Sequence, residues 1–522
     1  MKCMQTVCIW YQMLICQVKM LRKHIALLGF LFAFALLSYQ FAVKIVRPQE
    51  QETQEPSSVS LLAGRAGLSG EISKGYESGT IYSVDGAAIS VNVTGPKKWD
   101  KICAAPGYNL LGSFGCGGAI DEWDDVLRST DREANRVSRT GDIIQMTLHS
   151  RAQETAAKLL SEYYPETVCD SAALSVVTRT GAVLAAAGSN LCEPADYFDD
   201  TKIDRIHEDF SAVPYQIGST AKIMTARALL LHENDLPDEW KLSNNRFQDV
   251  SFYSPAENVT IHNHDWQKPE MYDRDEAQNE NDPLTRLISL FDAMRYSSNT
   301  YFLRHILELC GTPQRGYACM DEIYGLSQSI QTEIGSLDAV TCPDDRLYWF
   351  FWGQNFTCSA TRLAALCNHA LSGEAYAPFY VTRVYLPDQA HTVIYEANPQ
   401  PRADLSFPVQ KDDLLRQALA ECFEHYGIDP AITAPYSKYI KAHRLLSKSG
   451  TSDTDMENNI INACRTLSVL DENGGLVCTA TIIVHNIHSS DVNTNTLYSI
   501  LLDTLNAAGI LQTDAADGEV NT

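Results

Sequence analysis

Residues 173–188 (ALSVVTRTGAVLAAAG) set two apolar runs on either side of Thr178-Arg179-Thr180-Gly181, a pattern that predicts a β-hairpin laid over helices. A second hairpin is predicted over residues 467–486 (LSVLDENGGLVCTATIIVHN), and residues 443–450 (HRLLSKSG) read as a further strand just before it. Upstream, the polar-apolar alternation of residues 142–150 (DIIQMTLHS) runs into a helical pattern over residues 151–164 (RAQETAAKLLSEYY). Five strands with helical segments between them predict an α+β domain around one mainly antiparallel sheet flanked by helices.

The N-terminal part follows a different pattern. Nineteen uncharged residues, 25–43 (IALLGFLFAFALLSYQFAV), suffice to cross a hydrocarbon core at about 1.5 Å rise per residue, and Lys19, Arg22 and Lys23 cluster before them. No small-x-small cleavage site follows. These features predict one uncleaved transmembrane helix, its N-terminus in the cytoplasm and everything beyond it outside. A polar, acidic run (RPQEQETQEPSS, 47–58) then reads as a linker. A hairpin-like stretch (GTIYSVDGAAISVNV, 79–93) and a helical one (DEWDDVLRSTDREANRV, 121–137) predict a small non-catalytic N-terminal module. The expected plan is a cytoplasmic tail over residues 1–24, an anchor over 25–46, a linker over 47–60, the module over 61–140, the main domain over 141–510 and a disordered tail over 511–522. Within the main domain, residues 233–283 are polar and acidic and read as a surface insertion.

Charge narrows the partners. The chain has 41 Lys and Arg against 65 Asp and Glu, and its first 49 residues hold six of the bases and no acid. The remainder, about 30 charges negative, repels phosphate backbones and has no basic run with interleaved aromatics, so nucleic acid is excluded as a partner. The 15 cysteines include no C-x-x-C pair, which leaves zinc-ribbon and thioredoxin-type sites without their basic signature. Cys464 and Cys478 flank the DENGG turn almost symmetrically, which predicts facing positions on the hairpin, either joined as a disulfide or buried as free thiols. His262 and His264 alternate as a strand-borne ligand pair would, but no cysteine or carboxylate pattern completes a site, and neither metal nor cofactor is expected. The aromatic patch at residues 348–352 is expected in the core rather than on a glycan.

Three short motifs carry candidate chemistry. Ser219-Thr220-Ala221-Lys222 is the only S-x-x-K in the chain and opens an apolar run, STAKIMTARALLL. Residues three apart share a helix face, so the Lys222 amine is placed beside the Ser219 hydroxyl, a nucleophile with an adjacent base. A serine at a helix start also has outward backbone N–H groups that can bind an oxyanion. Alone, such a motif is more often an N-cap serine with a chance lysine nearby. The triplets Ser243–Asn245 and Ser297–Asn299 share the pattern S-x-N but differ in context. The first lies in the polar insertion and reads as a turn; the second sits where one amphipathic helix ends and another begins, a corner able to aim two polar side chains at a cleft, or simply a helix cap. Lys448-Ser449-Gly450-Thr451 ends a short apolar strand and is the only K-[ST]-G. A lysine there suits a carboxylate, and the glycine lets a substrate backbone approach the strand edge.

In this order and behind a membrane anchor, the three motifs resemble those of the penicillin-binding protein transpeptidases, which share them with class A β-lactamases. GDIIQMTLHSRAQ, VVTRTGAVLAAAG, PYQIGSTAK, AMRYSSNTYF, FFWGQNFTCSATRLAALCNHALSG and LSKSGTS are similar to stretches of that domain, over roughly residues 141–505, and SGTIYSVDGAAIS and YNLLGSFGCGGAIDEWDDVL to the segment before it. The resemblance is to monofunctional, class B-like members. Ser78 departs from it where an arginine is usual, as does the acidic insertion.

The resemblance implies a penicillin-binding transpeptidase/β-lactamase-like fold and a single-pass protein of the bacterial cell membrane with its catalytic domain outside. It implies that Ser219 is acylated by stem peptides ending in D-alanyl-D-alanine and by β-lactams, and that Lys222 removes its proton. Ser297 would relay a proton to the leaving amine, Asn299 would hold the substrate amide and steady Lys222, and Lys448 would support Ser297. Ser449, Gly450 and Thr451 would form the substrate-binding strand, Thr451 contacting the terminal carboxylate and sharing the oxyanion hole with the Ser219 N–H. A membrane-embedded glycan polymerase is a further partner of such proteins. The alternatives are a D,D-carboxypeptidase or β-lactamase on the same fold, in which water takes the acyl group, and a non-catalytic penicillin-binding scaffold or sensor.

Overall fold

The computed structural model describes residues 79–513, apart from 93–100, 105, 113–117, 124–125, 128–140, 192–207, several stretches between 244 and 286, and 341, 343–346, 388–389 and 411–412. The expected tail, anchor and linker over residues 1–60 lie outside the described residues, as do His262 and His264. Among the described residues no helix is long and apolar enough to cross a membrane.

The main sheet has five strands in the order Leu445–Asp455, Ile460–Leu470, Leu476–His488, Ser171–Thr178 and Val183–Gly188. Every neighbouring pair is antiparallel, and these are the five strands the hydrophobic pattern predicts. Four of them read as mostly apolar, buried runs because both faces are covered, whereas Leu445–Asp455 is polar beyond Leu446. On one face Ala152, Ala156 and Leu160 of the helix Ser150–Tyr163, and Leu497, Leu501 and Leu505 of the helix Thr494–Ala507, pack on Leu174, Val176, Ala480 and Ile482. On the other, Ile483, Cys464 and Leu446 join a helical core that includes Met224, Phe302 and Leu363. The aromatic patch is in that core, where Tyr348, Phe350, Phe351 and Trp352 are buried.

Cys464 and Cys478 do not face each other. Cys464 pairs with Ile483 and Cys478 with Val469, and the two thiols lie in cores on opposite faces of the sheet, both free. The turn does fall in DENGG, where Gly474 N–H donates to Asp471 O (3.1 Å) and Gly474 supplies φ +77°, but Cys464 stands farther from it along the chain than Cys478 does.

The described N-terminal residues share a core with the main domain. Ile81–Tyr82 pairs in parallel with Ile143–Met146, and that strand pairs antiparallel with Val381–Tyr385, beyond which lies Val393–Glu396. Ile81, Trp123 and Leu127 share a cluster with Val177, Val183 and Ala364 of the main domain, and Trp123 Nε1 donates to Glu333 O (2.7 Å). At the other end, packing continues past residue 510. Leu511, placed by the sequence in the disordered tail, is buried, and Gln512 N–H donates to Tyr439 Oη (3.2 Å).

Candidate active site

Ser219 stands on a 3₁₀ turn, Gly218–Ala221, that runs into the helix Lys222–Leu231. The turn is held from behind: Tyr215–Gln216 pairs with Thr357–Cys358, Ile217 N–H donates to Phe356 O (3.1 Å), and Thr220 Oγ1 donates to Ile217 O (2.8 Å). It is also pressed against the strand Leu445–Asp455. Gly218 has φ +55°, and a Cβ there would fall 2.3 Å from Thr451 O; a Cβ on Gly450 would fall 2.3 Å from Ile217 O. Two glycines therefore let the backbones carrying Ser219 and Thr451 touch. Gly450, expected to admit a substrate backbone, lies against the turn that carries Ser219.

Lys222 is fully buried, and its Nζ lies 2.8 Å from Ser219 Oγ, 2.7 Å from Ser297 O, 3.0 Å from Ser297 Oγ and 2.7 Å from Asn299 Oδ1. Helical spacing accounts for the first contact. The other three come from the corner between the helices Leu290–Arg295 and Asn299–Cys310. Ser298 caps the second helix by accepting from Tyr301 N–H (3.0 Å), as the cap reading has it, while its neighbours Ser297 and Asn299 turn to Lys222. Ser297 adopts φ +59°, a left-handed conformation that costs a non-glycine residue about 1–3 kcal/mol unless its surroundings enforce it. Of the other triplet only Ser243 is among the described residues, and its N–H donates to Glu233 Oε1 within the insertion (2.6 Å).

Lys448, also fully buried, donates to Ser297 Oγ (3.1 Å) and to Ser449 O (2.8 Å). Ser297 Oγ thus lies between two lysine amines. Burial is the main force lowering both lysines: Lys448 falls to about 8, and Lys222 falls well below the ordinary lysine value, pushed further by the Lys448 charge and partly restored by Asp249. Two buried amines this close favour a single shared proton charge at neutral pH, with Lys222 the one that gives it up.

The Lys448 strand forms one edge of the sheet. Ser449 N–H donates outward to Tyr426 Oη (2.8 Å), so this edge is closed at Ser449. By strand alternation the N–H and C=O of Thr451, an exposed residue, also face outward, beside the Ser219 turn. The eight residues singled out in the sequence therefore meet in one place, with Gly450 and Ser449 backing it and Thr451 at its rim.

Sequence reasoning missed Tyr426, Asp249 and Asn263. The last two belong to the segment read as a surface insertion, yet both are 2 % exposed. The available signal was the pair of short alternating stretches around them, which form the strands Phe252–Ser254 and Val259–Ile261 and return the chain to the core.

No family model matches the chain, and no curated protein matches it. Solved structures do. Penicillin-binding protein A from Mycobacterium tuberculosis is 14% identical, with a TM-score of 0.63 over 83% of this chain and 100% of that one. The same protein as a penicillin G acyl-enzyme complex is 14% identical, with a TM-score of 0.61 over the same shares of both chains. Penicillin-binding protein 3 from the same organism is 17% identical, with a TM-score of 0.60 over 84% of this chain and 97% of that one. The chain thus has the penicillin-binding protein transpeptidase fold that its three motifs resemble.

Proposed function

We propose that this chain is a peptidoglycan D,D-transpeptidase, anchored in the bacterial cell membrane through residues 25–46 with its catalytic domain outside. The observation that carries this reading is the contact of Ser219 Oγ with a buried, readily neutral Lys222 amine. Ser219 Oγ attacks the carbonyl of the penultimate D-alanine while Lys222 takes the hydroxyl proton. The oxyanion is held by the backbone N–H groups of Ser219 and Thr451. Ser297 Oγ, within reach of both lysines, passes the proton to the departing D-alanine amine. An amine of a neighbouring strand then takes the acyl group and frees Ser219. Asn299 steadies Lys222 and holds the substrate amide, and Thr451 meets the terminal carboxylate. The penicillin G acyl-enzyme complex of the M. tuberculosis protein supports β-lactams as substitute acyl donors.

Labelling with a fluorescent penicillin is expected to tag the peptide containing Ser219 and to vanish in Ser219→Ala. A tag on any other residue would refute the assignment. Adding an acceptor amine to a D-alanyl-D-alanine substrate is expected to divert product from hydrolysis to a crosslink; hydrolysis alone identifies a carboxypeptidase or β-lactamase, and no acyl-enzyme at all identifies a scaffold.

The acylation rate is expected to be bell-shaped in pH. It rises as Lys222 loses its proton, at a pH well below the ordinary lysine value, and falls near pH 8 as Lys448 loses the charge that supports Ser297. Lys448→Arg keeps a cation throughout this range, so stopped-flow acylation from pH 5 to 10 should lose the falling limb and keep the rising one. A falling limb unmoved by that substitution would belong to another group.

A further inference from the structure

The acidic insertion supplies part of the foundation of the site. Asp249 accepts hydrogen bonds from Ser298 Oγ (2.7 Å), Thr300 Oγ1 and Asn263 Nδ2 (2.7 Å). Asn263 Oδ1 accepts from the backbone N–H groups of Asn299 (2.6 Å) and Thr300 (3.2 Å). A carboxylate can only accept, and each of its three partners can donate, so the chemistry of the cluster is complementary. The cluster grips the three residues that follow Ser297. Ser297 itself holds φ +59°, which an unconstrained serine would leave. Its carbonyl and Asn299 Oδ1 are the two Lys222 contacts that can only accept.

Resting on the transpeptidase reading, we propose that Asp249 and Asn263 are positioning residues: from the insertion they clamp the Ser297–Asn299 corner in the left-handed conformation that delivers Ser297 and Asn299 to Lys222. The charge of Asp249 has a separate effect. Lys222 is faced by the cation of Lys448, which depresses its proton affinity, and by Asp249, which raises it; its hydrogen-bond partners Ser219, Ser297 and Asn299 are neutral. The two residues can be probed separately: Asn263→Ala removes the grip on the Asn299 and Thr300 amides, and Asp249→Asn removes the charge.

In Asp249→Asn the charge goes and an amide oxygen still accepts from Ser298 and Thr300, but the bond to Asn263 Nδ2 is lost because two amide nitrogens would face each other. The Lys222 ammonium loses support, so the rising limb of the acylation profile is expected to move to lower pH, with amide hydrogen exchange at Asn299 and Thr300 accelerated by less than in Asn263→Ala, where their acceptor is gone altogether. In Asn263→Ala the grip goes: exchange at those two amides is expected to accelerate by about tenfold or more, and acylation to slow by a similar factor. Wild-type exchange in Asn263→Ala, or a rising limb that does not move in Asp249→Asn, would overturn the proposal. If Asn263→Ala does not fold, the pH profile of the isosteric Asp249→Asn decides. Exchange is read on unacylated protein, so a wild-type chain that never labels with penicillin counts against the transpeptidase reading while the exchange rates still judge the clamp.

Discussion

Replacing Lys222 by arginine is expected to slow acylation of Ser219 by about 10²–10⁴-fold or more while the protein remains folded. The argument is one of hydrogens and lone pairs. Two of the four atoms around Nζ, Ser297 O and Asn299 Oδ1, can only accept. A neutral amine has two hydrogens and one lone pair; the carbonyls take the hydrogens and leave the lone pair for the Ser219 hydroxyl 2.8 Å away. An ammonium has no lone pair and is useless as a base. Burial and the Lys448 charge favour the neutral form at the working pH, whereas a guanidinium keeps its proton under any condition the protein survives. The measurement is the second-order rate of penicillin acylation, alongside thermal unfolding to show that the larger group is accommodated. Near-wild-type acylation in a folded Lys222→Arg would mean that the lysine acts only as a charge and that the base lies elsewhere.

The geometry of this site was legible because much of it is local. Ser219 and Lys222 meet by helical spacing, and the strand carrying Lys448 announces itself by its apolar residues, so both could be placed without tertiary information. The meeting of Lys222 with Ser297 and Lys448 is not local, and only the order of the motifs and their resemblance to a known domain pointed to it. What stayed hidden was polar and distant. Asp249 and Asn263 sit among acidic and amide residues whose composition signals solvent, and nothing in a sequence window reveals that Ser298 and Thr300 wait for them. The parallel pairing of Ile81–Tyr82 with Ile143–Met146 joins short segments about 60 residues apart, too brief to carry a periodic signal. The hairpin containing Cys464 and Cys478 and its DENGG turn were found, but the facing pairs were not: the two cysteines stand at unequal distances from the turn, and a shift of pairing along the strands moves every facing pair.

A buried ion pair binds the two halves of the site together, and Asp413→Ala is expected to destabilise the fold by roughly 3–5 kcal/mol. Arg227 lies on the helix that begins at Lys222, and its guanidinium engages Asp413 in two parallel bonds of 2.7 Å each while Nε donates to Ala370 O (2.7 Å). The side chains are 4% and 9% exposed. Asp413 also caps the helix Leu414–His425 by accepting from Arg416 N–H (3.1 Å), and the following residue, Tyr426, closes the strand edge at Ser449. Truncating the aspartate strips a cap and, more costly, leaves a guanidinium in a dry core with no counter-charge. The pair itself adds little net stability, because forming it required two charges to leave water. Arg227→Met combined with Asp413→Ala should therefore recover most of the loss, although each alteration alone is harmful. Urea unfolding of the wild type, both single variants and the double variant closes the cycle. A double variant no more stable than Asp413→Ala would show that the capping bond, rather than the stranded charge, carries the effect.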